Sequence, residues 1–278
     1  MAFEILRRIV THGNFEDEHK VQLVSCYQRI ETKRRSEWNS LKVFKAPIAA
    51  ESRFLIYALV FTILCHGAAM LAMLFFLLPG MPSGTTEVAQ RITYISEHPF
   101  LWKLGWFPWQ MTALSDVILS LALIRTAWIP RLPAACALVL TLVAVIFEQP
   151  AEFRWTTSGI DLAKEALRTG NHSAYRAFEQ EVFSLTSHWA ALFYTLAAIF
   201  WSISLAKAGA WSCFMTRLSV FLWGLLLVIS IGPLLFSSFG FNLVSAGNAL
   251  GFNLMMIWFL GALYLVKLKS AAINQNNS

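Results

Sequence analysis

Charge is what this sequence has least of. Only 14% of its 278 residues are charged, against 57% that are hydrophobic. A soluble domain of this length has too little interior to bury so much apolar surface, so lipid must solvate much of the chain. The net charge of +6 is carried by Lys and Arg residues that stand beside hydrophobic runs. They read as topology signals, and no nucleic-acid partner is expected.

Other scarcities exclude more. The four cysteines, Cys26, Cys65, Cys136 and Cys213, show neither paired nor metal-type spacing, which argues against a disulfide framework and a zinc site. The chain lacks a two-His metalloprotease motif, a Gly-rich phosphate loop, a Gly-x-Ser-x-Gly elbow and an intramembrane Lys able to form a retinal Schiff base. Haem held between helices needs His pairs at matched depth. Here His66 is central, His188 peripheral, and His12, His19, His98 and His172 fall outside the apolar runs. No metal and no cofactor is expected, and the familiar membrane-enzyme classes find no support. No internal repeat stands out, which weighs against an inverted-repeat transporter. The first ten residues, MAFEILRRIV, hold no apolar run of signal-peptide length, so the first span is expected to serve as the targeting signal.

What the sequence does contain is apolar runs of the roughly 20-residue length that crosses a bilayer. They cover 54–78, 104–124, 132–147, 188–205, 218–236 and 245–266. The expected fold is all-α, a polytopic transmembrane bundle of six spans over residues 54–267. The third run is the shortest, and a five-span alternative would separate the termini. Loop charge favours six. Lys33, Arg34, Arg35, Lys42, Lys45 and Arg53, then Arg125 and Arg131, then Lys207 and Arg217, then Lys267 and Lys269 all fall on one side, the cytoplasmic one by the positive-inside rule. The 11 Trp and 22 Phe suit interfacial belts and helix packing.

Residues 1–53 form a cytoplasmic segment in this reading. Leu23, Tyr27, Ile30, Trp38 and Leu41 recur near helical spacing and Asn14 with Asp17 resembles a capping pair, so 15–44 reads as an amphipathic helix. Such a helix packs on the bundle, lies on anionic membrane lipid, or docks a protein partner or second copy. The external loop, 149–187, is too long for a turn. Ser158 with Asp161 caps one short helix ending near Gly170, and Asn171 or Ser173 starts another leading into span four. Residues 268–278 form a cytoplasmic tail.

An ionisable group inside a span costs at least about 2.5 kcal/mol at the bilayer centre, so each one calls for a role and a partner. His66 lies halfway along span one and Asp116 halfway along span two, which runs the other way; at about 1.5 Å per residue they reach similar depth. A His–Asp pair there can relay protons or bind a cation. The plainer reading has Asp116 neutral, or bonded to Ser115, Thr112 or backbone, with His66 as an interface residue. Near the external face, Glu148, Gln149, His188, Trp109 and Gln110 gather as candidate ligand-binding residues, or else as an ordinary aromatic belt. In span six, Gly247 and Gly251 have close-approach spacing for helix packing, with Asn248 and Asn253 as interhelical hydrogen-bond formers.

The stretch 98–125, HPFLWKLGWFPWQMTALSDVILSLALIR, opens with F-x-x-x-x-G and places a hydrophobic helix with a central Asp after an external segment. It resembles the second-helix region of an uncharacterised family of bacterial six-helix membrane proteins, a domain of unknown function. The resemblance implies an inner-membrane location and carries no activity with it. Three functions stay open at this point. One is a protein that binds or transports a small or lipid-like ligand, with His66 and Asp116 as a proton-linked pair. Another is a structural or assembly subunit held through the N-terminal helix or span six. A third is an interfacial enzyme acting on lipid with Glu148 and His188 as acid and base.

Overall fold

The computed structural model describes residues 45–82, 87–235 and 241–275. The amphipathic helix expected over 15–44 lies outside the described residues. Among those described there is no strand, and the elements follow one another as helices.

Helix α1, Lys45–Ala72, runs on through a π-helical turn, Met73–Leu77, and a 3-10 turn, Leu78–Gly80. Helix α2 is Val88–Glu97, α3 is Pro99–Arg125 and α4 is Arg131–Thr156. Two short helices follow, α5 at Ser158–Thr169 and α6 at Ser173–Ser184. A second π-helical turn, Leu185–Ala190, leads into α7 at Ala191–Lys207, and α8 at Cys213–Leu235 and α9 at Phe241–Gln275 complete the series. Six stretches are long and apolar enough to cross a membrane, centred on α1, α3, α4, α7, α8 and α9. The protein is a multi-pass helical membrane protein, as the apolar runs required.

Span three is where the expected boundaries change. Its apolar run ends at Phe147, yet α4 continues through Pro150 to Thr156, so 149–156 belongs to the helix rather than to a loop. Pro150 forfeits one backbone bond, but Ala151, Glu152 and Trp155 beyond it are buried, and that packing holds the extra turns in line.

Around the bundle, α3 packs on α4, α4 on α7, α7 on α8 and α8 on α9. Helix α1 closes the ring: the Thr62 hydroxyl donates to the Ser115 carbonyl of α3, and the His66 ring meets Phe259 of α9 at 5.2 Å. Three polar ties within the bundle join an indole to a serine. The indole N–H of Trp201 (α7) donates to Ser120 of α3 at 2.9 Å, that of Trp223 (α8) to Ser202 of α7 at 3.0 Å, and that of Trp258 (α9) to Ser219 of α8 at 2.8 Å. Each bond links two helices while the ring supplies apolar contact, a division of labour suited to a lipid-solvated bundle.

At one end α2, α5 and α6 form a cap with its own apolar core, built on Ile92, Ile95, Trp102, Trp106, Trp155 and Tyr175. The Trp102 indole donates to the Trp155 carbonyl at 3.0 Å and so ties α3 to the far end of α4. The two short helices anticipated after span three are present, but Ser158 does not cap the first: Thr157 holds the N-cap position and no side chain caps it. Gly170 ends α5 with φ at 71°, the left-handed value that glycine tolerates, and the Asn171 side chain accepts from the backbone N–H of Ser173.

Candidate functional site

The His66–Asp116 pair forms. His66 Nε2 stands 3.9 Å from Asp116 Oδ2, and both residues are buried, at 5% and 6% exposure. His66 Nδ1 lies 3.0 Å from the Thr62 carbonyl four residues back. A carbonyl only accepts, so Nδ1 carries a hydrogen, and Nε2, which faces the carboxyl, holds a lone pair in the neutral ring and a second hydrogen in the protonated one. Moving one proton across this gap converts a neutral pair into an ion pair.

Asp116 does not take the neighbours that a purely local reading offered it. The Ser115 hydroxyl donates to the Thr112 carbonyl, and the Thr112 hydroxyl to the Trp109 carbonyl. Both are spent on the backbone of α3. Asp116 Oδ1 is left buried without a hydrogen-bond partner.

Asp116 is not the only acid at the centre of the bundle. Glu148 of α4, half-buried, receives the hydroxyl hydrogen of Tyr194 on α7, and interacts electrostatically with both Asp116 and Glu152. Glu152 is 1% exposed and accepts from the Gln149 amide at 3.2 Å. One helical turn separates Glu148 from Glu152, so they share a face of α4. None of the three carboxylates forms an ion pair with Lys or Arg among the described residues. Three ionised carboxylates cannot stand together in low dielectric without compensation, so the cluster must hold protons or attract a cation. No group of three His, Cys, Asp or Glu side chains is placed to hold a metal ion among the described residues.

The remaining candidates divide. Trp109 shares the Asp116 face of α3, seven residues away, and packs edge-on against Phe252 of α9 at 5.2 Å. Gln110 is half-buried on the next position of α3. His188 lies in the second π-helical turn, 3.3 Å from the Ser184 hydroxyl and edge-on to Phe183. Glu148 and His188 share no hydrogen bond, so the acid–base arrangement considered for a lipid enzyme is not assembled between them. Gly247 and Gly251 face α8, where an added Cβ would run into Ile229 and Leu226 respectively. Asn253 does not bond across helices: it is exposed on the outside of α9 and its amide donates to Ala249 of the same helix. Asn248 is half-buried on α9.

Three residues central to this picture went unnoticed in the sequence. Glu152 was assigned to a loop, because Glu148, Gln149 and Pro150 look like a span end. Tyr194 carries no signal that separates it from other aromatics in an apolar run. Arg91 stands in a polar segment between two apolar runs with nothing in the sequence that marks it out, yet it is buried in the cap and paired with Glu179 at 2.9 and 2.5 Å. No protein-family model, curated protein or solved structure matches the chain.

Proposed function

We propose that this protein binds or moves a small or lipid-like ligand across a bacterial inner membrane, with both termini cytoplasmic and the cap outside, and that its cycle is linked to protonation of the His66–Asp116 cluster. The observation that carries this reading is the uncompensated acidity of the bundle: Asp116, Glu148 and Glu152 are gathered there with one histidine and no Lys or Arg ion pair among the described residues. Burial of ionisable groups in a membrane is costly, and apolar side chains of similar volume pack as well or better. The loop charges support the orientation.

The test uses the protein in sealed liposomes loaded with a pH-reporting dye, with amines, organic acids and lysolipids added in turn. A solute that drives proton movement in the wild type is expected to do so no longer in Asp116→Asn, in protein that still inserts and elutes as one species. Undiminished coupling in that variant would remove the cluster from the mechanism.

One observation favours a second reading, that of an assembly subunit. Asn253 presents an amide on the lipid-facing side of α9, and polar groups in that position associate helices. A native mass in mild detergent equal to one chain would dismiss it.

A further inference from the structure

The polar side chains of the bundle are stacked in levels that its own hydrogen bonds define. The Ser120–Thr141 bond, 3.1 Å, sets α3 against α4, which runs antiparallel to it, and the Trp201–Ser120 bond sets α3 against the parallel α7. Seven residues toward the cap from that layer lie Ala113, Glu148 and Tyr194, about 10 Å away at the helical rise. The Tyr194–Glu148 bond agrees with this register. Asp116 falls about 4.5 Å below that level and Glu152 about 6 Å above it. Successive rungs are thus within reach of a side-chain swing or one bridging water.

Below Asp116 the character changes. Thr141 donates its hydroxyl to the Ala137 carbonyl, so Ser120 must donate to Thr141, while the Trp201 indole occupies Ser120 as an acceptor. An indole N–H donates without accepting and cannot pass a proton on. Trp201, Trp258, Phe259, Leu119 and Leu123 fill the rest of this layer at 2% exposure or less. At the other end the half-buried Gln149 donates to Glu152, so a polar side chain links the outermost rung to a less buried position.

The geometry points to a one-sided proton route: we propose that protons reach Asp116 and His66 from the cap end through Glu152 and the Glu148–Tyr194 pair, and that the Ser120–Trp201 layer blocks exchange from the opposite end. The titratable groups facing this route are Cys65 and His66 from α1, Asp116 from α3, Glu148 and Glu152 from α4, and Tyr194 from α7, with His188 above on the π-helical turn. Helices α8 and α9 hold their ionisable side chains, Cys213, Arg217, Tyr264, Lys267 and Lys269, toward the opposite end. The proposal deepens the proton-linked reading and rests on it in one respect, that Asp116 exchanges a proton with water.

The experiment reads that exchange without any ligand. Full-length protein in lipid nanodiscs is moved into heavy water, and the infrared carboxyl band lost in Asp116→Asn is followed in time. Glu152→Gln and Tyr194→Phe are expected to slow its exchange by about a hundredfold, the low end of what a positioned proton-transfer group contributes. Glu152→Asp restores most of the rate, whereas Ser120→Ala and Trp201→Phe leave it unchanged. Slowing in the Ser120 and Trp201 variants, or none in the Glu152 and Tyr194 variants, overturns the route while leaving a protonated Asp116 in place. If Asp116→Asn removes no carboxyl band, the proton-linked reading itself falls, and the route with it.

Discussion

Breaking the Arg91–Glu179 pair from one side should unlatch the cap without disturbing the bundle. Arg91 on α2 and Glu179 on α6 are 5% and 6% exposed and share two hydrogen bonds, Nε to Oε1 and Nη2 to Oε2. Glu179→Leu leaves a guanidinium in that interior with its carboxylate gone, a loss that costs about 3–5 kcal/mol for buried pairs. The bidentate geometry places the expectation in the upper part of that range. Arg91→Met with Glu179→Leu removes both charges, and the double variant should return to within about 1 kcal/mol of wild type, because apolar replacement of a buried pair is close to neutral.

The suitable assay is native-state hydrogen exchange in nanodiscs, resolved by segment. The cap has an apolar core distinct from that of the bundle, so it can open as a separate unit. At about 1.4 kcal/mol per decade, amides of α2, α5 and α6 should lose about three to three and a half decades of protection in Glu179→Leu while α7, α8 and α9 keep theirs. A double variant as unprotected as the single one would refute the reasoning, since the damage would then come from lost packing rather than from the loss of the carboxylate beside Arg91. A single variant losing under about one decade would show the site to be wet.

Gly251→Ala should destabilise the bundle by about 1–3 kcal/mol in a denaturant titration, because its Cβ would press on Leu226, whereas Gly224→Ala, with no atom within 4 Å of the new methyl, should not. A double-mutant cycle of Trp201→Phe and Ser120→Ala should give a coupling of about 0.6 kcal/mol, the usual worth of an interhelical bond in lipid; a coupling of zero would remove the bond. Gly170→Ala forces a left-handed φ on alanine and should cost the cap about 1–2 kcal/mol, read by the same exchange experiment in α5 and α6.

The parts of the fold that rest on one-dimensional signals were legible beforehand. Six apolar runs became six spans, and the turn residues around Gly170 became the α5–α6 hairpin. Depth along antiparallel helices is a matter of counting residues, so His66 and Asp116 could be matched from the sequence, and they lie within ion-pair distance. What failed was any inference that took polarity for the end of a helix. Glu148, Gln149 and Pro150 interrupt hydrophobicity without interrupting α4, because the cap core continues the burial. Partners far apart in sequence gave no signal either: Arg91 and Glu179 are 88 positions apart, and only the joint packing of α2, α5 and α6 brings them together. Asn253 shows the opposite error, for an amide able to cross between helices bonds its own backbone instead.

The two polar systems of this molecule are compensated in different ways, and that difference bears on function. In the cap, acids are matched by bases, Arg91 with Glu179 and Arg154 with Glu181. In the bundle, the groups that fasten helices together are neutral: Ser202, Ser219, Ser230 and Thr195 return their hydroxyl hydrogens to backbone carbonyls one turn back, and Ser202 and Ser219 also accept an indole N–H from the next helix. That scheme ties α3 to α4, α3 to α7, α7 to α8 and α8 to α9 without a carboxylate, while α4 and α7 are joined by the Tyr194–Glu148 bond. Asp116 and Glu152 are therefore surplus to these ties, and with Glu148 they stand on the cap side of the Ser120–Trp201 layer. Groups that cost most in lipid and are not needed for these ties are the ones on which the proposed proton route is built.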